Sequence, residues 1–293
     1  MGALRDIAWA KLNLTLQVLG RRDDGFHELA SLVAFAGVGD TIEFTPNDAF
    51  ALTVEGPFAA ALDGVNLIAA AVEAAKSLAP GLMIGRFRLL KLLPVAAGLG
   101  GGSADAAAAL RLIVQANPDV LNEAAVAALA PGLGSDVAVC LGSGPSLITG
   151  RGEIVSPVQG FPVCGVVLAN PGVELSTAEI YGALNAPPLP PPPQHPAPPD
   201  FAGDFDKLIG YVTPRGNDLE AAALRLAPQV GYVLAALATL DGVRLARMSG
   251  SGATCFALFA TPRQALRAAT ALAQTEPDWW ITASALGDPK AKI

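Results

Sequence analysis

Between residues 7 and 18 apolar and polar positions alternate. Ala8, Ala10, Leu12, Leu14 and Leu16 share one face, and Ile7, Trp9, Lys11, Asn13 and Thr15 the other. A period of two predicts a strand with one fully apolar face, from whose other face Lys11 and Asn13 project side by side. Shorter alternating runs at 41–45 and 50–55 follow. The gaps between them are too short for crossover helices, which predicts an antiparallel meander. The period then changes. Asn66 reads as the cap of a helix over 66–78 with Leu67, Ile68, Ala71, Val72 and Ala75 as its stripe, ended by Pro80-Gly81.

A strand at 85–92 leads through Pro94 to the run Gly98-Leu99-Gly100-Gly101-Gly102. Ser103 reads as the cap of an alanine-rich helix over 104–115. A helix at 123–130 comes next, then a short one that starts at Asp136 with Ser135 as cap. The second half opens on a strand at 163–169. Ser176-Thr177-Ala178-Glu179 is a capping box, and Asn217-Asp218-Leu219-Glu220 a looser one. Strands at 243–248 and 253–259 flank Ser249-Gly250-Ser251-Gly252. Thr261-Pro262 starts a last helix, and 279–284 is a final strand. Prolines dominate 186–199, which reads as a solvated loop or semi-rigid arm, a tolerated surface insertion. Strands and helices in this order predict an α+β chain. A shift in composition near residue 155 divides it into 1–155 and 156–293.

Composition narrows the class. A chain of 293 residues with 52% hydrophobic and 15% charged positions can fill two cores, so disorder is excluded for most of it. No apolar run reaches membrane-spanning length, and the N-terminus lacks a basic stretch followed by an apolar core. The net charge of −7 argues against general binding of nucleic acid or anionic membrane. A polyanion would have to be held locally. Cys140, Cys164 and Cys255 are scattered and odd in number, so they suggest neither a metal site nor a disulfide framework, and the expected location is the reducing cytoplasm.

Four constellations carry chemistry. The first is the strand–glycine run–helix segment ending at Ser103. Its glycines let backbone N–H groups approach an anion, and the helix start adds its dipole. The segment has neither the Walker Lys nor the dinucleotide spacing. The second is Lys11 with Asp136. If they converge beside a triphosphate, the carboxylate accepts a hydroxyl proton and the ammonium offsets charge on the transferring phosphoryl. Taken singly, the ordinary reading of each is favoured: a solvated strand-face lysine and a helix-start acid. The third is Gly25-Phe26-His27, a turn whose imidazole could read a base edge, with Tyr181 as a second aromatic face. The fourth is Ser249-Gly250-Ser251-Gly252, either a phosphate-binding turn or a plain hairpin connection.

Six motifs in order, Ala10-Lys11-Leu12-Asn13-Leu14, Gly25-Phe26-His27-Glu28-Leu29, the run ending at Ser103, Gly134-Ser135-Asp136-Val137, Asn217-Asp218-Leu219-Glu220 and Met248-Ser249-Gly250-Ser251-Gly252, resemble the galactokinase, homoserine kinase, mevalonate kinase and phosphomevalonate kinase (GHMP) superfamily. The resemblance spans about Ala8 to about Phe259. It implies a two-domain fold, with an N-terminal layer domain like domain 2 of ribosomal protein S5 and a C-terminal ferredoxin-like sandwich. It implies ATP-dependent phosphorylation of the 2-hydroxyl of cytidine diphosphate methylerythritol, on the methylerythritol phosphate route to isoprenoid precursors. Asp136 would be the base and Lys11 its partner. Asn66, Lys91, Pro94, Gly98, Leu99, Gly100, Gly101, Gly102 and Ser103 would surround the nucleotide. His27 would bond the cytosine between Phe26 and Tyr181, and Asn13 and Thr177 would touch the substrate. Mg2+ is implied as the counter-ion of ATP, with ligands unassigned. Phe26 stands where the family commonly has Tyr, and Ala104 where a second Ser is usual. The alternatives are another small-molecule kinase of the superfamily, whose homoserine or mevalonate substrate carries no base for His27 to read, and a non-catalytic nucleotide-binding regulator.

Overall fold

The computed structural model describes residues 2–64, 66–79, 81–189 and 195–289; Pro80 and the centre of the proline-rich arm, 190–194, lie outside the described residues. The chain forms two compact units that are not consecutive in sequence. One comprises Met1–Ala10, Val38–Val95 and Gly100–Gly142, the other Lys11–Gly37, Ala96–Leu99 and Ser143–Ile293. Two strands, Leu4–Asn13 and His27–Thr45, lend residues to both. Among the described residues no helix is long and apolar enough to cross a membrane.

In the first unit the expected meander is replaced by a crossover. The strand Ala51–Glu55 pairs in parallel with Arg86–Leu90, and it is Arg86–Leu90 that lies antiparallel to Thr41–Thr45. Thirty residues separate the parallel strands, enough for the helix Leu67–Lys76 that parallel pairing needs. Asn66 caps this helix as expected, its Oδ1 accepting from the Ile68 amide at 2.9 Å. The helix packs on Gly101–Ala116, which is buried nearly all round. That explains its alanine run: a helix enclosed on every side is apolar on every side.

The strand expected over 7–18 breaks after Asn13 and resumes as Gln17–Arg21, which forms a hairpin with the start of His27–Thr45. The strands Ser146–Gly150 and Ile154–Pro157, which the sequence pattern did not reveal, extend the sheet from the other side of His27–Thr45. In the second unit Cys164–Asn170, Leu245–Met248, Cys255–Phe259 and Trp280–Gly287 pair antiparallel in the order fourth, first, third, second. With the helices Gln229–Ala238 and Pro262–Thr275 against them, this is the expected ferredoxin-like sandwich. Thr261 and Gln264 close a full capping box at the last helix.

Candidate active site

The glycine loop is shaped by backbone that only glycine tolerates. Gly98 and Gly100 have φ of 73° and 64°. A Cβ on Gly98 would stand 2.1 Å from the Ser249 carbonyl oxygen, so no side chain fits. The helix starts at Gly101, earlier than expected, and its N-cap is Gly100 rather than Ser103. Gly100 has no side chain to bond the first turn. The amides of Gly101, Gly102 and Ser103 are therefore left without intrahelical acceptors at the positive end of a 16-residue helix. The start of the short helix also shifts: it spans Val137–Gly142, and Asp136 precedes it, its carbonyl accepting from the Cys140 amide at 3.1 Å.

Within the second unit the loop's first half is clamped by backbone. The Lys11 amide donates to the Leu99 carbonyl at 2.9 Å, and the Thr254 amide to the Ala97 carbonyl at 3.2 Å. Ser249 Oγ donates to the Gly98 carbonyl and accepts from the Asn13 amide, at 2.9 and 3.1 Å. Ser249-Gly250-Ser251-Gly252 thus connects two strands as a hairpin turn and also buttresses the glycine loop. Ser251 Oγ lies 2.9 Å from Thr177 Oγ1.

Lys11 and Asn13 share a face, as their spacing requires. The Lys11 ammonium donates to Asn13 Oδ1 at 2.6 Å, Asn13 Nδ2 donates to Ser31 Oγ at 2.8 Å, and Ser31 Oγ donates to the Thr15 carbonyl. Lys11 is only 3% exposed, so this chain of bonds fixes a desolvated cation beside the loop's Leu99.

The base-reading residues also meet. The His27 ring lies 4.9 Å from that of Tyr181, tilted by 32°. Burial, helped by the charge of Arg21, lowers the His27 pKa, so the imidazole is neutral at pH 7 and can donate from one nitrogen and accept at the other. The Arg151 guanidinium sits 4.5 Å over the half-exposed Phe26 ring. Nothing in the sequence pattern marked Arg151; the pairing of Gly150 with Leu29 brings it there.

Lys91 is 1% exposed in the first unit and bonds Asp40 Oδ2 at 2.6 Å and Asp105 Oδ2 at 2.7 Å. Burial opposes its charge, but the two carboxylates outweigh this and raise its pKa. Asp40 Oδ1 accepts from the Leu92 and Leu93 amides, fixing the segment that leads to the buried Pro94. Burial pushes Asp105 up to about 7 against the pull of Lys91, and its Oδ1 has no hydrogen-bond partner. The first turn of the glycine-loop helix rests on this triad: a Cβ on Gly101 would be 3.2 Å from the Lys91 ammonium. Asp40 and Asp105 were not singled out in the sequence, although an acid inside a buried alanine helix is a signal that Asp105 gives.

Asn217-Asp218-Leu219-Glu220 is a clamp and not a capping box. Glu220–Leu226 has Leu219 at its N-cap position with no side-chain cap bond. Asn217 Nδ2 instead donates to the Met248 and Gly250 carbonyls at 2.9 and 2.8 Å, while Asp218 accepts from Val18 and Glu220 from Met248. Asn217 Oδ1 still accepts locally, from the Leu219 amide at 3.0 Å, so the buried side chain ties the helix start to the serine-glycine turn.

Models of the GHMP kinases match this chain twice, the N-terminal domain at residues 66–144 and the C-terminal one at 201–278. The chain belongs to the GHMP kinase family. Within that family, the 4-diphosphocytidyl-2-C-methyl-D-erythritol kinase of Parvibaculum lavamentivorans is 45% identical to it over 289 residues, covering 98% of this chain and 99% of its own. The kinase of that name from Methylobacterium radiotolerans is 48% identical over 293 residues, covering 96% and 98%. A crystal structure of 4-(cytidine 5'-diphospho)-2C-methyl-D-erythritol kinase matches with a TM-score of 0.75 at 33% identity, over 97% of this chain and 99% of that one. Homoserine kinase from Cytophaga hutchinsonii, at 16% identity and a TM-score of 0.67, shares the fold.

Proposed function

We propose that this protein transfers the γ-phosphoryl of ATP to the 2-hydroxyl of 4-diphosphocytidyl-2-C-methyl-D-erythritol, giving the 2-phosphate and ADP. The observation that carries the reading is identity of 45–48% over nearly the whole length of relatives that bear that kinase's name. The ATP phosphates lie against the first-turn amides of Gly101, Gly102 and Ser103, in a loop kept open by Gly98 and Gly100 and backed by the Lys91 triad, with Asn66 and Pro94 near the nucleotide. Lys91 serves from below: its charge is already shared between two carboxylates, so it sets the loop and does not grip a phosphate.

Asp136 accepts the proton of the 2-hydroxyl as its oxygen bonds to the γ-phosphorus and the bond to the β,γ-bridging oxygen breaks. The Lys11 ammonium, held by Asn13, offsets negative charge on the transferring group. Cytosine is read by neutral His27 and stacked by Phe26 and Tyr181, while Asn13 and Thr177 orient the methylerythritol. Magnesium enters with ATP and neutralises phosphate charge. Among the described residues no group of three or more His, Cys, Asp or Glu could hold a metal ion. The protein acts in the cytoplasm, without nucleic-acid or membrane partners.

The test is phosphoryl transfer from ATP to the cytidine substrate, with homoserine and mevalonate run beside it. Product with the cytidine compound alone is expected. Transfer to another acceptor removes the cytosine pocket, and ATP binding without any transfer removes the enzyme.

A further inference from the structure

The proline-rich arm, expected to be a solvated loop or semi-rigid surface insertion, is tied at both described ends to one hairpin. At its start the Arg21 amide donates to the Pro187 carbonyl at 2.7 Å and the Leu189 amide donates back to the Arg21 carbonyl at 2.9 Å, a parallel bridge centred on Pro188. Gly20 makes room for it: a Cβ there would stand 2.6 Å from the Leu189 Cα. Beyond 190–194, His195 Nε2 lies 2.7 Å from Glu28 Oε1. Glu28 is 3% exposed, and its other oxygen takes a bond from Arg22 Nη1 at 2.7 Å.

Arg21 and His27 are register partners across this hairpin, and Glu28 is the next residue. The arm therefore grips one strand at Arg21 and the other at Glu28, on either side of the tip that carries Phe26 and His27. Tyr181 lies on the helix Thr177–Leu184, whose end is separated from the arm by Asn185 alone. One continuous stretch of chain thus holds the aromatic face and the hairpin that faces it.

We propose that His195 and Glu28 are positioning residues. With the Arg21–Leu189 backbone bonds they form a clasp that holds the Phe26–His27 tip at a fixed distance from Tyr181, and so set the affinity for the nucleobase end of the acceptor substrate. The substrate half of this inference rests on the function proposed above; the clasp itself does not. A tip that is already ordered loses less conformational freedom when a base enters, which lowers KM without touching the phosphoryl-transfer step.

The test compares the parent protein with His195→Ala and His195→Gln, since Gln can still donate to Glu28 from about the position of Nε2. His195 is part-exposed, so neither change opens a core. Hydrogen exchange of the Arg21, Arg22 and Gly25 amides is measured without ligand, and steady-state kinetics are measured with the cytidine substrate and ATP. In His195→Ala the three amides are expected to exchange about tenfold faster and KM for the cytidine substrate to rise about fivefold to tenfold, the loss of one charge-assisted hydrogen bond. kcat and the KM for ATP stay within about twofold, and His195→Gln recovers most of both effects. Unchanged exchange in His195→Ala overturns the clasp. Faster exchange with unchanged KM overturns its role in substrate affinity. If the parent does not turn over the cytidine substrate at all, the proposed function falls, while the exchange data still decide the clasp.

Discussion

The buried triad makes a quantitative prediction for Asp105→Asn. Asp105 has a carboxyl pKa of about 7 in the folded protein against an ordinary value of 3.8, because burial disfavours its anion more than Lys91 rescues it. Between those values the native state holds a proton that the unfolded chain has released, so stability falls as pH rises, and the loss is complete only above the folded value. The whole rise corresponds to about 4 kcal/mol, and the larger part of it is lost between pH 5 and pH 8. Asn keeps the shape and cannot titrate. Lys91 and Asp40, the charged groups facing Asp105, remain in both proteins. The assay is urea unfolding of parent and variant at pH 5, 6, 7 and 8, read as their difference so that other titrating groups cancel. The variant is expected to gain on the parent by roughly 2–3 kcal/mol across that range, with most of the change below pH 7. A difference constant within about 0.5 kcal/mol would mean that Asp105 is ionised throughout, with Lys91 outweighing burial, and the reasoning would be refuted.

Asp136→Asn is expected to lower kcat by about 10²–10⁴ while the KM for ATP stays near that of the parent, because it removes a proton acceptor and no phosphate contact; turnover within tenfold of the parent removes the base. His27→Ala is expected to raise KM for the cytidine substrate by about tenfold and spare ATP. Because the His27 pKa is lowered, that KM in the parent is expected to change with a midpoint below that of an ordinary imidazole, as checked by a pH profile. Gly98→Ala is expected to weaken ATP binding at least tenfold, since a methyl would press on the Ser249 carbonyl at a φ of 73°; unaltered binding, measured by calorimetry, would show that the loop does not depend on that conformation.

Local chemistry was legible in the sequence wherever it depends on neighbours along the chain. Alternation put Lys11 and Asn13 on one face, and their side chains bond directly. The glycine run announced a positive-φ loop before a helix, and Asn66 announced its cap. The order of strands and helices in the second half was enough for an α+β layer domain, and the family resemblance supplied the ferredoxin-like sandwich. What the sequence did not carry was partner choice across distance. Parallel pairing of Ala51–Glu55 with Arg86–Leu90 depends on a crossover that no local period encodes. Asn217 has a capping pattern in sequence, and its Oδ1 does take the Leu219 amide, but its Nδ2 is spent on Met248 and Gly250. Ser249 reads as one residue of a turn and becomes the prop of the glycine loop, and prolines that predict a free arm instead close on Arg21 and Glu28. Propensity and periodicity act over a few residues. A buried donor or charge takes whichever acceptor the folded backbone brings to it, because leaving it unpaired costs about 1–3 kcal/mol, more than any local preference supplies.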